Sequence, residues 1–178
     1  MKTTQILIAG FGGQGILFAG KFLAYKGLME GLQVSWLPSY GPEMRGGTAN
    51  CNIILSETPV GSPIITRPDV LVAMNLPSLQ KYVHDVAPGG QIYVDSALID
   101  VKVERTDVDV FYIPATQMAK EANMASLANM IITGCLLENH PELSFDGTDA
   151  VVQKMVPPTK AALVELNMKA LTMGKEYK

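Results

Sequence analysis

Gln5-Ile6-Leu7-Ile8-Ala9-Gly10-Phe11-Gly12-Gly13-Gln14-Gly15 decides the class of this chain. Gln5–Ala9 is a short apolar run stopped by glycine, the pattern of a strand buried on both faces. From Ile16 to Glu30 the apolar residues Ile16, Leu17, Ala19, Phe22, Leu23 and Leu28 spread over a wide helical face, and Gly31 closes the segment. Gln33–Leu37 reads as a second strand. A strand, a glycine loop, a helix and a strand in 37 residues predict an α/β domain with a Rossmann-like first β-α-β unit.

Further along, strands are expected at Ala49–Leu55, Asp69–Met74, Gln91–Asp95 and Val108–Ile113, with a helix at Ser78–Val86. Val101–Arg105 alternates apolar and polar residues, which predicts an edge strand or hairpin arm. After Pro114 the pattern turns helical: Thr116–Ala122, Leu127–Asn139, Thr148–Val156 and Thr159–Thr172. The last of these should bury Leu163, Leu166, Ala170 and Met173. No repeat or low-complexity linker interrupts the 178 residues, so a single domain over 1–178 is expected.

Composition excludes several classes. Only 17% of residues are charged, where about 25% is usual, a shortfall of about 13 groups at this length. Apolar residues make up 48% and mean hydropathy is +0.19, which is incompatible with a disordered chain. A net charge of -3 without a Lys/Arg cluster argues against nucleic acid. No segment has the run of about 18 apolar residues that a membrane span needs, and Ile6–Ala9 is too short for a signal h-region, so a cytoplasmic location is expected. Cys51 and Cys135, far apart, read as two buried free thiols. Two thiolates do not supply the four that an iron–sulfur cluster takes, and His84 and His140 stand alone, so no metal site is expected. Neither a GxSxG elbow nor a GxxxxGK[ST] loop is present, and no catalytic residue is assigned. The low charge predicts an exposed apolar patch for another chain.

Two segments carry binding chemistry. Gly10, Gly12 and Gly15 fit GxGxxG between strand and helix, with Gly13 and Gln14 at the tip. Glycines let a ligand approach backbone N–H groups, and a helix start offers free N–H donors and a positive dipole end to an anion. A dinucleotide site also wants an acid at the end of the second strand; here that strand ends Leu37-Pro38-Ser39-Tyr40. Close strand–helix packing alone is the competing explanation of these glycines. The second segment, Tyr40-Gly41-Pro42-Glu43-Met44-Arg45-Gly46-Gly47, starts at the same sheet edge. Arg45 offers a planar, permanently charged fork suited to phosphate or carboxylate, or it pairs with Glu43 to hold the loop.

GFGGQGILFAGKFLA at Gly10–Ala24, SYGPEMRGGTANCNIILS at Ser39–Ser56 and LANMIITG at Leu127–Gly134 together resemble the gamma subunit of 2-oxoacid:ferredoxin oxidoreductases, most closely the 2-oxoglutarate type, with pyruvate and branched-chain types as alternatives. The resemblance implies a three-layer α/β/α domain with a mostly parallel or mixed sheet. It implies an enzyme that decarboxylates a 2-oxoacid on thiamine diphosphate, passes electrons through iron–sulfur clusters to ferredoxin and forms an acyl-coenzyme A. This chain would bind none of these cofactors alone. It would pack on catalytic alpha and beta subunits and a ferredoxin-like subunit, and help close the coenzyme A side of the active site. The marked residues carried over are Gly10, Gly12, Gly13, Gln14, Gly15, Tyr40, Glu43, Arg45, Gly46, Gly47 and Asn129. Arg45 and the helix start at Gly15 are expected to face anionic groups of coenzyme A or an acidic partner surface. Two other readings compete: an independent Rossmann-type nucleotide-binding oxidoreductase, and a non-enzymatic interaction module.

Overall fold

A computed structural model describes residues 2–39 and 48–178; of Thr48 only the backbone is described. Six strands form one sheet in the order β2-β3-β1-β4-β5-β6. They are β1 (Thr3–Phe11), β2 (Gln33–Ser39), β3 (Thr48–Ser56), β4 (Val70–Ala73), β5 (Gln91–Asp95) and β6 (Asp109–Ile113). The helices are α1 (Ile16–Met29), α2 (Leu76–Tyr82), α3 (Ala115–Glu121), α4 (Ala128–Asn139), α5 (Thr148–Met155) and α6 (Ala162–Glu176).

The sheet is mixed. β1, β4, β5 and β6 are mutually parallel. β3 runs antiparallel to both β1 and β2, in a register that sets Ile6 and Trp36 on either side of Ile53. The β1-α1-β2 unit therefore has two strands pointing the same way, as its sequence pattern predicts, but β3 is wedged between them. Antiparallel neighbours such as β2 and β3 need no crossover helix between them.

Two apolar layers sandwich this sheet. On one face Ile6, Ile8, Cys51, Ile53, Val72 and Tyr93 pack under helices α1, α3, α4, α5 and α6. On the other, Leu7, Leu71, Ile92 and Val94 meet Leu79 of α2, with Val103 and Tyr112 alongside. The architecture is thus the three-layer α/β/α arrangement, with a thinner second layer. α4 is buried over Ala128–Leu137 and is accordingly apolar almost all round.

Two expectations fail. Val101–Arg105 is not a strand. It crosses the second face as irregular chain: the Val103 N–H donates to the Tyr112 hydroxyl at 2.8 Å, and Arg105 Nη1 donates to the Val83 and Val86 carbonyls at 2.9 and 2.7 Å. Its alternation arises because one side packs on Tyr112 and the end of α2. The apolar face of α6 is also different. Asn167, Ala170, Leu171 and Gly174 are buried, whereas Leu163 and Leu166 are exposed. The cause is a close helix crossing: a Cβ on Gly134 of α4 would lie 2.0 Å from the Leu171 carbonyl oxygen, and one on Gly174 would lie 1.7 Å from that of Ile131. Backbone-to-backbone approach, not side-chain hydrophobicity, chooses the face of α6 that docks.

Candidate site at the carboxyl edge of the sheet

β1 is the point where the chain changes direction across the sheet: α1 covers one face and leads to β2, while α2 covers the other and leads from β4 to β5. In open α/β sheets the crevice beyond the carboxyl ends of the strands at such a point is where ligands bind. Gly10–Gly15 occupies that position. Gly13 and Gly15 have φ of 91° and 73°, values that glycine alone adopts at little cost. Gly15 caps α1 with no side-chain cap present, so the first-turn N–H groups of α1 face the edge without one.

Gln14 does not project outward. Its Oε1 accepts from the Phe11 N–H at 2.6 Å and its Nε2 donates to the Met74 carbonyl at 2.8 Å. The side chain is a strap from the loop to the end of β4. Gly10 makes room for it, since a Cβ there would meet Gln14 Oε1 at 2.5 Å.

Asn129 arrives at the same place from the start of α4. Its Nδ2 donates to the Gly15 carbonyl at 3.0 Å, and a Cβ on Gly15 would sit 2.5 Å from that nitrogen. Asn129 is 2% exposed and its Oδ1 has no hydrogen-bond partner among the described residues. Beyond β4, Asn75 caps α2 by accepting from the Ser78 N–H at 2.8 Å. Asn75 Nδ2 and Ser78 Oγ are likewise buried without partners. The edge thus holds unspent donors and acceptors on both sides of the glycine loop. Sequence reading started α2 at Ser78 and missed Asn75 and Ser78; Asn-Leu-Pro before a helical pattern is the N-cap signal that marks them.

Tyr40, Glu43, Arg45, Gly46 and Gly47 lie outside the described residues. The positions that flank them do not: Ser39 ends β2 opposite Asn50, and Thr48 starts β3 opposite Phe11. Both are at the edge that carries the glycine loop.

Burial pushes the Cys51 thiol up to about 12, against an opposing contact from the Trp36 N–H. Burial likewise raises Cys135 to about 11. Both are free and buried, so neither supplies a thiolate near neutral pH. Asp95, fully buried, accepts from the Thr116 N–H and hydroxyl and the Ala97 N–H, and so ties β5 to α3. His84 is exposed. His140 sits at the opposite, amino edge near Asp69 and Glu142. Among the described residues no group of three or more His, Cys, Asp or Glu is placed to hold a metal ion.

A mixed sheet with helices on both faces, and a glycine loop braced by amides at its switch point, defines a three-layer α/β domain. Residues 5–177 match the family described as pyruvate ferredoxin/flavodoxin oxidoreductase, and the chain belongs to that family. It is 37% identical over 180 residues to the ketoisovalerate oxidoreductase subunit VorA of Methanothermobacter marburgensis, covering 99% of this chain and 37% of that one. The chain therefore spans little more than a third of that relative's length. The crystal structure of a keto/oxoacid ferredoxin oxidoreductase gamma subunit from Geobacter sulfurreducens superposes with a TM-score of 0.82 at 31% identity, covering 97% of this chain and 96% of the other. A 2-oxoglutarate:ferredoxin oxidoreductase from Magnetococcus marinus, solved with 2-oxoglutarate, coenzyme A and succinyl-CoA bound, gives a TM-score of 0.87 at 26% identity. It covers 98% of this chain and 31% of that one.

Proposed function

We propose that this chain is an accessory gamma subunit, one domain over residues 1–178, of a 2-oxoacid:ferredoxin oxidoreductase. The complex oxidatively decarboxylates a 2-oxoacid to an acyl-coenzyme A with ferredoxin as acceptor. Thiamine diphosphate and the iron–sulfur clusters belong to the catalytic alpha and beta subunits and a ferredoxin-like subunit. Two buried, protonated thiols do not fit a cluster. This chain carries no catalytic residue, binds no cofactor alone and works in the cytoplasm; among its described residues no helix is long and apolar enough to cross a membrane.

One observation carries the reading. The unspent polar groups at the carboxyl edge are amides, a hydroxyl and helix-start N–H groups. Such groups bind and orient; they do not exchange protons near neutral pH. The likeness to the Geobacter gamma subunit supports the gamma assignment, and the bound coenzyme A in the Magnetococcus structure supports that ligand for the complex. Contact with coenzyme A or a partner falls to the segment of Gly10, Gly12, Gly13, Gln14 and Gly15 and to Asn129, and, by sequence resemblance, to Tyr40, Glu43, Arg45, Gly46 and Gly47. The two relatives' names give different 2-oxoacids, consistent with a substrate chosen in the catalytic subunits.

Co-purification tests the reading: the chain should emerge from cells with thiamine- and cluster-bearing subunits. In the reconstituted complex, Arg45→Ala should raise the KM for coenzyme A or weaken assembly. If neither changes, the role given to Arg45 is wrong. Tight binding of NAD(P)H by the isolated chain would favour the independent nucleotide-binding reading instead.

A further inference from the structure

At the edge of the sheet farthest from β6, β2 pairs among the described residues only with β3, and none of them pairs with its outer backbone groups. Proteins protect such edges with charges, with proline or by covering them. In β2, Gln33-Val34-Ser35-Trp36-Leu37-Pro38-Ser39, no residue is charged and proline comes only at Pro38, so Val34–Leu37 carries neither of the first two guards. The opposite edge differs, because β6 starts with Asp109 and Tyr177 and Lys178 lie beside it.

Next to β2 runs a groove lined by Lys21, Ala24, Tyr25 and Leu28 of α1 and by Val34 and Trp36 of β2. Leu28 is 54% exposed and Trp36 36%. The Trp36 N–H is turned toward the buried Cys51 sulfur, so the indole presents hydrocarbon to the groove. Two cations stand over its aromatic floor: Lys21 Nζ is 5.6 Å and Lys154 Nζ 5.0 Å from the Tyr25 ring centroid. Neither forms an ion pair among the described residues.

We propose that this edge and groove receive an extended segment of another subunit of the complex, which adds a strand beside β2. On such a strand alternate side chains face the same way. Apolar ones would enter the groove against Leu28 and Trp36, and an acidic one would meet Lys21 and Lys154. Backbone pairing gives the affinity and the alternate pockets give the selectivity. A second copy of this chain is the poorer occupant: its β2 brings no carboxylate, and two-fold pairing would bring a second pair of lysines. The inference rests on the accessory-subunit reading and adds to it the surface and the chemistry of the partner.

Hydrogen exchange in the purified complex tests it. Amides of Val34–Leu37 should exchange at least tenfold more slowly in the complex than in the isolated chain. A photo-crosslinking phenylalanine analogue in place of Leu28 should attach to an extended segment of another subunit that carries apolar residues and an acidic one at every second position. The double variant Lys21→Glu, Lys154→Glu should weaken assembly at least tenfold, whereas Lys21→Arg, Lys154→Arg should not. Both lysines are exposed, so an unchanged thermal midpoint of the free chain shows that the variant folds. Unchanged β2 exchange in an intact complex, or crosslinks confined to a second copy of this chain, overturns the docking proposal and leaves the accessory reading standing. Failure to co-purify with thiamine- and cluster-bearing subunits overturns both.

Discussion

Glycine is used in two opposite ways in this molecule. Where α4 crosses α6, Gly134 and Gly174 bring one helix backbone against the other, and an added Cβ would strike a carbonyl group. At the carboxyl edge, Gly10 and Gly15 bring backbone against the amide tips of Gln14 and Asn129. A backbone carbonyl inside a packed helix pair has nowhere to go. An amide tip can rotate away at the cost of its hydrogen bonds. The first contact is thus built to be rigid, and the second holds the carboxyl edge in shape with groups that can still move.

Gly174→Ala is the most severe way to break the rigid contact. Overpacking a close-packed interior costs about 1–3 kcal/mol, occasionally more, and a 1.7 Å approach to a carbonyl belongs at or above the top of that range. Denaturant unfolding should show the midpoint falling sharply for Gly174→Ala and for Gly134→Ala. A cost below about 1 kcal/mol would mean that α6 slides freely on α4, and the contrast between the two glycine sites would dissolve.

Gly15→Ala comes next and separates two causes. Its φ of 73° alone costs an alanine about 1–2 kcal/mol, and the Cβ must also displace Asn129. Gly13→Ala carries only the first cost, because beyond its chain neighbours no atom of the described residues lies within 4 Å of its added Cβ. Gly15→Ala should therefore be the more destabilising in urea titrations. Equal losses would show that Asn129 yields without cost and that its bond to the Gly15 carbonyl is idle.

Gln14→Ala should cost less, about 1 kcal/mol for two bonds in a partly exposed loop. Its sharper readout is local: amide exchange at Phe11 should quicken while the α4–α6 amides stay unchanged. If the whole domain loosens instead, the strap belongs to the core and not to the edge.

These contrasts explain what was legible in the sequence. A strand is expected at each of the six strand positions and a helix over most of α1, α3, α4 and α5, because burial against a sheet writes a pattern into neighbouring positions. The face of α6 was misread because Leu163 and Leu166 look like core residues, while the contact is made by Gly174 and by the backbone at Leu171. Glycine leaves no hydrophobic trace. Val101–Arg105 alternates without being a strand, since any chain lying on a surface buries one side. The insertion of β3 between β1 and β2 follows from pairing that no single segment encodes. Asn129 and the glycine loop could be marked by resemblance, but their meeting across 114 positions is a tertiary fact. Low charge predicts an exposed apolar patch for another chain; Leu28 and Trp36 are exposed and line one groove, which is where such a contact is proposed.

The smallest effect probes the far edge and serves as a control for the near one. Burial lowers the pKa of His140 from the ordinary 6.5, with Lys2 adding to the effect and Asp69 opposing it. Its Nδ1 accepts from the Glu142 N–H at 3.3 Å, so the folded chain prefers the neutral ring. The linkage has a fixed sign. Above the ordinary 6.5 both folded and unfolded chains hold His140 neutral, and its full contribution is present. As pH falls below 6.5 the unfolded chain takes up a proton first, and stability declines until the folded pKa is passed. Unfolding of the wild type and His140→Gln between pH 7.5 and about 5 should isolate this slope, with the variant losing less stability on acidification. Parallel curves would mean that the ring is hydrated and titrates normally. Because His140 lies across the sheet from the glycine loop, hydrogen exchange at Gly13–Ile16 should not follow this titration. If it does, the two edges are coupled through the strands, and the distinction between a rigid body and an adjustable carboxyl edge has to be redrawn.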